Sequence, residues 1–292
     1  MRDKEDFGIP IRHLHATQKE PDLSESFSIR DVKEMLGGKD MVQELHRHDF
    51  FFILALKKGR GRHEIDFNAY EVSDDSVFFM RPGQVHQLHL KAGSTGYLMQ
   101  FNKDFYYPSD KTSGLLLRKA TSKNRCQLDG KKSKGLLLTL TDIFEEYIGK
   151  QEGYQEVIKA NLGIFFIELV RQRKNGKVGA VKNVPYSQER IETFLELLET
   201  HISTHKQVSQ YAEMLNLSSY QLNAIAKTTL GKNCSELINE FIVLESKRFL
   251  LATSNQVNQI AWQLGYEDVS YFIRFFKKHT GYTPEAFRLN FK

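Results

Sequence analysis

From residue 257 to 281 the chain reads VNQIAWQLGYEDVSYFIRFFKKHTG, a pattern that admits little besides two short helices meeting at a tight turn. Ile260, Ala261 and Leu264 fall at helical spacing and lay a narrow apolar stripe on one side of a short helix. Gly265 follows the last periodic residue, where glycine can take the left-handed conformation that ends a helix sharply, and Tyr266 can pack back onto it. Asp268 or Ser270 can cap the next helix. In that helix Phe272, Phe275, Phe276 and His279 fall on the side to be buried, and Ser270, Ile273, Arg274 and Lys277 fall on the opposite side. Gly281 ends it, and Thr283 with Pro284 opens a closing helix as cap and first helical residue.

A related pattern, VSQYAEMLNLSSYQLNAIAKTTLG, stands at 208–231. Ala212 and Leu215 are the small and apolar contacts of its support helix. Ser218 or Ser219 caps a helix that buries Leu222 and Ile225 and leaves Tyr220, Gln221, Asn223, Ala224 and Lys227 outside. Between the two, SELINEFIVLESKRFLL at 235–251 reads as one long helix that fixes their separation. Two helix-turn-helix patterns on one frame imply a two-headed reader of the DNA major groove, each head using the outer row of its second helix. A plain helical bundle is the bland alternative, and it requires both patterns to be accidents. The expected contacts are Tyr220, Gln221, Asn223 and Lys227 in the first unit, and Ser270, Ile273, Arg274, Lys277 and Lys278 in the second. Arg274 suits paired hydrogen bonds to guanine, the amides of the first unit suit adenine, and Lys277 and Lys278 suit phosphates. Lys247, Arg248 and Arg288 add groove-facing charge in this reading.

On these residues the chain resembles the AraC/XylS family of bacterial transcription regulators. The resemblance covers 208–288 and rests on Ile260-Ala261, Leu264-Gly265-Tyr266, Ser270-Tyr271-Phe272, Arg274, Phe276-Lys277-Lys278, Gly281, Pro284 and Phe287-Arg288. The first unit departs further from the family pattern. Phe241-Ile242 stand where an arginine is usual in the connecting helix, and Ala226 where a phenylalanine is frequent. The resemblance implies double-stranded DNA as partner, a homodimer and, for an activator, RNA polymerase.

The chain has 292 residues, enough for two domains with separate cores. Its net charge of +5 suits a polyanionic partner without requiring one, because basic runs at 118–134 and 171–182 lie outside the reading helices and are read as solvated loops. Cys126 and Cys234 have no metal-ligand spacing and make no disulfide framework. MRDKEDFGIP lacks the apolar run of a signal peptide, and no stretch of about 20 apolar residues occurs, so a cytoplasmic location is expected.

From residue 27 to 105 the pattern becomes FSIR, FFFILAL, GRHEIDF, YEVS, SVFFMRP, VHQLHLK and GYLMQF, short apolar runs separated by turns. Many short strands at close spacing predict a sandwich or barrel, and with the helical C-terminal part an α+β multidomain chain. HRHDF at 46–50 and RPGQVHQLH at 81–89 resemble the two half-motifs of cupins, jelly-roll barrels that front many AraC-type regulators. In a metal-binding cupin the resemblance implies two histidines and a carboxylate from the first half-motif and a histidine from the second. His46, His48 and His86 match the histidines, whereas Phe52 stands at the carboxylate position. The expectation is therefore a barrel without metal or other cofactor, taking a small organic effector among His48, Phe52, Arg81, His86 and Gln100. Its affinity would vary between about pH 5 and 8 as the imidazoles titrate. His89 is assigned to the other strand face or the rim.

Amphipathic helices follow at 133–150 and 155–174, the second widened by Ile164 and Ile167 beyond one apolar stripe. With the family resemblance this predicts a dimer seam that includes Leu162 and Phe165; packing within one chain is the alternative. The resulting division is a cupin-like barrel at 1–132, a helical dimerisation segment at 133–174, a linker at 175–187 and a DNA-binding domain at 188–292. The leading reading is a non-catalytic, ligand-controlled regulator. The competing readings are a cupin metalloenzyme with a DNA-binding tail and a ligand-independent dimeric regulator.

Overall fold

A computed structural model of the chain describes residues 11–12, 14, 26–106, 111–174 and 185–291. The described residues form two compact units, one within 11–174 and the other within 185–291. In the first unit the elements run β1 (Ile11–Arg12), β2 (Phe27–Asp31), α1 (Val32–Leu36), β3 (Met41–His48), β4 (Phe51–Lys58), β5 (Gly61–Ile65), β6 (Asn68–Val72) and β7 (Ser76–Met80). They continue with β8 (Val85–Leu90), β9 (Thr95–Phe101), α2 (Lys111–Thr121), β10 (Arg125–Gln127), α3 (Gly130–Gly149) and α4 (Tyr154–Lys174). The strands form two five-stranded sheets, in the orders β1-β3-β8-β5-β6 and β10-β7-β4-β9-β2, antiparallel except where β1 meets β3.

Strand β4 reads as an unbroken apolar run because both of its faces are covered. Phe52, Leu54 and Leu56 enter one core with Phe78, Met80, Leu88, Leu90 and Leu98. Phe51, Ile53 and Ala55 enter another, made with Leu136, Leu140 and Ile143 of α3 and Ile158, Leu162, Phe165, Phe166 and Leu169 of α4. This corrects the expectation for the helical segment at 133–174. Leu162 and Phe165 are fully buried inside the chain beside Phe79 and Met99, so they are no seam between subunits, and α3 and α4 are part of the barrel unit. Leu138, Ile164 and Ile167 remain exposed. Strand β3 was not anticipated, since MVQELHRH lacks the aromatic and β-branched density of its neighbours.

The second unit is helical: α5 (Pro185–His201), α6 (Val208–Met214), α7 (Ser219–Leu230), α8 (Cys234–Ala252), α9 (Val257–Gln263), α10 (Val269–Thr280) and α11 (Pro284–Phe291). Phe194, Tyr211, Ala212, Leu222, Ala226, Ile238, Ile260, Ala261, Phe272 and Phe276 share one core. Helix α5 begins at Pro185, so residues 185–187 are helical and not linker; the rest of the expected linker, 175–184, lies outside the described residues. Among the described residues no helix is long and apolar enough to cross a membrane.

Candidate DNA-reading face and barrel interior

The turns that set the reading helices are built differently in the two units. Gly265 has φ 73°, and a Cβ there would stand 1.6 Å from the Ser203 carbonyl oxygen, so the position accepts only glycine. Lys206 Nζ secures the contact by donating to Ser203 O at 3.2 Å and to Gly265 O at 3.1 Å, with Tyr266 beneath it at 5.1 Å from ring centroid to nitrogen. In the first unit Asn216 occupies the corresponding left-handed place, φ 54°, a conformation asparagine tolerates better than most side chains. Beyond the turns, α7 and α10 correspond position by position. Ser218 and Asp268 are the caps, Leu222 and Phe272 then Ala226 and Phe276 are buried, and Gly231 and Gly281 close the helices in left-handed conformation.

That correspondence exposes what each helix offers to solvent. On α10, Ser270, Tyr271, Arg274, Lys277 and Lys278 are exposed. The Arg274 side chain is 69% accessible and holds only a 3.8 Å contact with Asp268. Ile273 packs half-buried against the core and leaves the outer row. His279, expected to be buried, is exposed, with its ring 4.6 Å from Phe275. On α7, Tyr220 is 84% exposed and Gln221 and Lys227 are exposed, while Ala224 stands where α10 has Arg274. Ile225 packs half-buried against the core, and Ala226 takes the fully buried place expected for it.

Three expected contacts have structural work instead. Asn223 Nδ2 donates to Ser219 O at 3.0 Å within α7, and Asn223 Oδ1 accepts from the Cys234 N–H at 2.9 Å, so both ends of the amide are engaged and the oxygen ties α7 to the start of α8. Arg248 is buried in an ion pair with Glu245. Arg288 donates through Nε to Leu250 O at 2.9 Å and through Nη2 to Asn255 O at 2.6 Å, satisfying carbonyls at the end of α8 and after it. Gln221 Oε1 accepts from the Ser218 N–H at 2.9 Å in a capping box, although the residue remains exposed. Lys247 Nζ lies 5.5 Å from the centroid of the Phe287 ring.

Inside the barrel, β8 lies between β3 and β5, and His86 has His46 directly opposite on β3. His63 on β5 pairs with Leu88 and is therefore the diagonal neighbour of His86 on the same face. His86 Nε2 lies 2.8 Å from His48 Nε2 and 3.1 Å from His46 Nε2, and His86 Nδ1 lies 2.9 Å from His63 Nε2. All four rings are buried. His46 Nδ1 is 2.6 Å from the Glu44 carbonyl oxygen and donates to it. His63 Nδ1 is buried without a hydrogen-bond partner.

His63 is the residue that sequence reasoning missed. Its only trace is a histidine in the apolar row of GRHEI, two residues before Ile65. Of the expected effector residues, His48, Phe52 and His86 come together, with Phe52 stacked on His48 at 5.5 Å and 5.3 Å from His86. Gln100 is in register with Phe52 and accepts a 3.4 Å hydrogen bond from Arg30. Arg81 is not among them. It is exposed in the turn between β7 and β8, where its N–H donates to Gln84 Oε1 at 2.8 Å.

Burial pushes the His48 and His63 imidazoles down to about 3, holds His86 well below the ordinary histidine range and lowers His46 as well. The shifts of His48 and His86 both favour the neutral imidazole, which runs against the expected titration of effector affinity between about pH 5 and 8. The ligand atoms of His46, His48 and His86 all lie within 4.8 Å of one another, a set that fits one small cation. Phe52 offers that cation no ligand atom.

The architecture is that of a two-headed helix-turn-helix DNA-binding regulator carrying a β-barrel unit. The AraC-like ligand binding domain pattern matches residues 39–162 and the helix-turn-helix domain pattern matches residues 211–290. The chain belongs to the AraC/XylS family of transcription regulators. Among its curated relatives is the HTH-type transcriptional activator RhaS of Pectobacterium carotovorum subsp. carotovorum (strain PC1), 23% identical over 246 residues that cover 83% of this chain and 86% of that one. RhaS of Escherichia coli (strain K12 / DH10B) is 22% identical over 251 residues with the same coverage. Solved structures include the C-terminal domain of the response regulator yesN from Fusobacterium nucleatum, 32% identical with a TM-score of 0.32 over 34% of this chain and 96% of that one. Unsaturated fatty acid bound ToxT from Vibrio cholerae is 18% identical with a TM-score of 0.38, over 90% of this chain and 95% of that one.

Proposed function

We propose that this transcription regulator reads DNA mainly through α10, with Arg274 and Ser270 toward base edges, Lys277 and Lys278 on phosphates, and Tyr220, Gln221 and Lys227 of α7 in a supporting role. The observation that carries it is the exposed guanidinium of Arg274, held only by a 3.8 Å contact with Asp268, one turn into a helix whose opposite face is locked by Phe272 and Phe276. The two half-sites would lie roughly one helical turn apart. The barrel would bind a small effector and bias the paired DNA-binding units, which requires that the effector bind one arrangement more tightly than the other.

A homodimer through α3 and α4 is part of this reading, now assigned to the exposed Leu138, Ile164 and Ile167 in place of Leu162 and Phe165. The protein would work in the cytoplasm, contact RNA polymerase if it activates, and catalyse no reaction of its own, in line with relatives that are transcription regulators. Sedimentation and DNA titration of the full chain test the assembly together. A dimer at micromolar concentration that becomes monomeric on Ile164→Asp with Ile167→Asp, and then binds DNA more weakly, supports the reading; a monomeric wild-type chain overturns the dimer.

A further inference from the structure

We propose that Lys206, which lies outside both helix-turn-helix patterns, is the positioning residue that fixes the separation of the two reading helices and so sets the spacing of half-sites that the protein accepts. The inference rests on the reading in which α7 and α10 engage one duplex, and it gives that reading its spacing rule.

Helix α8 (Cys234–Ala252) is the covalent link between the two helix-turn-helix units. At about 1.5 Å per residue it spans about 28 Å, so a bend of about 5° at one end displaces the far unit by about 2 Å, more than half of a base-pair step of about 3.4 Å. One rod leaves the separation soft, and a second link between the same two units stiffens it.

The segment between α5 and α6 supplies that link. On the side of the first unit, buried Tyr211 of α6 donates its hydroxyl to His205 O at 2.7 Å, and Gln210 Oε1 accepts from the Lys206 N–H at 3.0 Å and the Gln207 N–H at 2.9 Å. The backbone of Lys206 is thus held to the first support helix. On the side of the second unit, Lys206 Nζ donates to Gly265 O while standing over the Tyr266 ring, and Ser203 O touches the face of Gly265 that a Cβ would occupy. Tyr266 in turn packs on the second reading helix, with its ring centroid 5.3 Å from that of Phe272 and 5.9 Å from that of Phe275. One residue therefore has its amide on α6 and its ammonium on the turn before α10. Partial burial lowers the Lys206 amine from its ordinary value, a desolvation that a lysine pointing into water avoids. The carbonyls of Ser203 and Gly265 and the face of Tyr266 offset it with charge-assisted contacts, which hold the side chain in this one arrangement.

The experiment uses the full chain and a duplex that it selects from random DNA, in three forms: as selected, with one base pair added between the half-sites, and with one removed. The wild-type chain should bind the altered duplexes about 10-fold more weakly, because one base pair moves a half-site by about 3.4 Å and turns it by about 35°. Lys206→Met keeps an unbranched stem and removes the ammonium. It should keep the base preference of the α10 half-site and lose less than about 3-fold on the altered duplexes, since the released unit can follow its half-site. Lys206→Arg restores the donors and should restore the spacing penalty. Circular dichroism at the assay temperature establishes that each variant is folded. If Lys206→Met does not fold, Tyr211→Phe, which removes only the hydroxyl that holds His205 O, should relax the spacing in the same direction. A folded variant as strict in spacing as the wild type overturns the role of Lys206 and leaves two-headed reading standing. A variant that loses the base preference of the α10 half-site together with the spacing penalty has released the second unit from DNA altogether, which also overturns the role. A wild-type chain indifferent to spacing overturns both the role and the reading on which it rests.

Discussion

The two helix-turn-helix units share one architecture and differ in what they turn outward. In the second, the turn is a glycine pressed onto a carbonyl, the core is phenylalanine, and the outer face carries an exposed arginine and two lysines. In the first, an asparagine makes the turn, Leu222 and Ala226 make the core contact, and the outward position of the arginine is an alanine. Asn223, the amide best suited to read adenine, is spent on the start of α8. Identical helix placement therefore does not imply equal reading, and under the proposed function the second unit would specify and the first would position.

The largest effect that sharpens this comparison is at the turns. Gly265→Ala forces a Cβ into the Ser203 carbonyl at a left-handed φ and should destabilise the helical unit by more than about 3 kcal/mol, whereas Asn216→Ala, in the same place of the first unit, should cost about 1 kcal/mol. Denaturant unfolding followed by the signal of the helical unit measures both, and equal losses would break the comparison.

The next effect sets the buried imidazoles of the barrel against the helical unit, where none of the described histidines is buried. Because the folded-state values of His48 and His63 lie near 3, below the ordinary 6.5, their stabilising contribution is complete above about pH 6.5. It is lost as pH falls from there toward 3, since the unfolded chain takes up protons first. The barrel unit should lose stability by pH 4 and melt before the helical unit. Thermal melts at pH 7 and pH 4 that move both units equally would contradict this.

Smaller is the effect on DNA. Arg274→Ala should weaken binding by about 1 to 3 kcal/mol at one base position, while Ala224→Gly should leave affinity within about 0.5 kcal/mol apart from helix propensity. Equilibrium binding to a matched and a singly mismatched duplex distinguishes the two variants. Smallest is Asn223→Ala, which should lower stability by about 1 kcal/mol and leave base preference unchanged, because the amide oxygen is engaged by the Cys234 N–H at the start of α8. A changed preference at any base would return Asn223 to the reading row.

The helical unit was legible because its constraints are local: the spacing of Ile260, Ala261, Leu264, Phe272 and Phe276, the caps Ser218 and Asp268, and the obligatory Gly265 all act within a turn or two of chain. What was missed depends on tertiary register. Nothing near Arg288 in sequence says that its guanidinium meets Leu250 O and Asn255 O, and nothing near Asn223 announces Cys234. In the barrel, the histidines of β3 and β8 could be paired from their motifs, but His63 joins them only through the pairing of β5 with β8. Leu162 and Phe165 illustrate a further limit. An apolar stripe states that a face is covered, and only the fold states that the cover is the sheet of the same chain.

The most direct test of the unequal units is selection of binding sites from random DNA by the full chain and by Arg274→Ala. The account predicts one half-site with a strict guanine that becomes degenerate in the variant, beside a second half-site that tolerates substitution in both proteins. Two equally strict half-sites, or a strict half-site that survives the loss of Arg274, would contradict it.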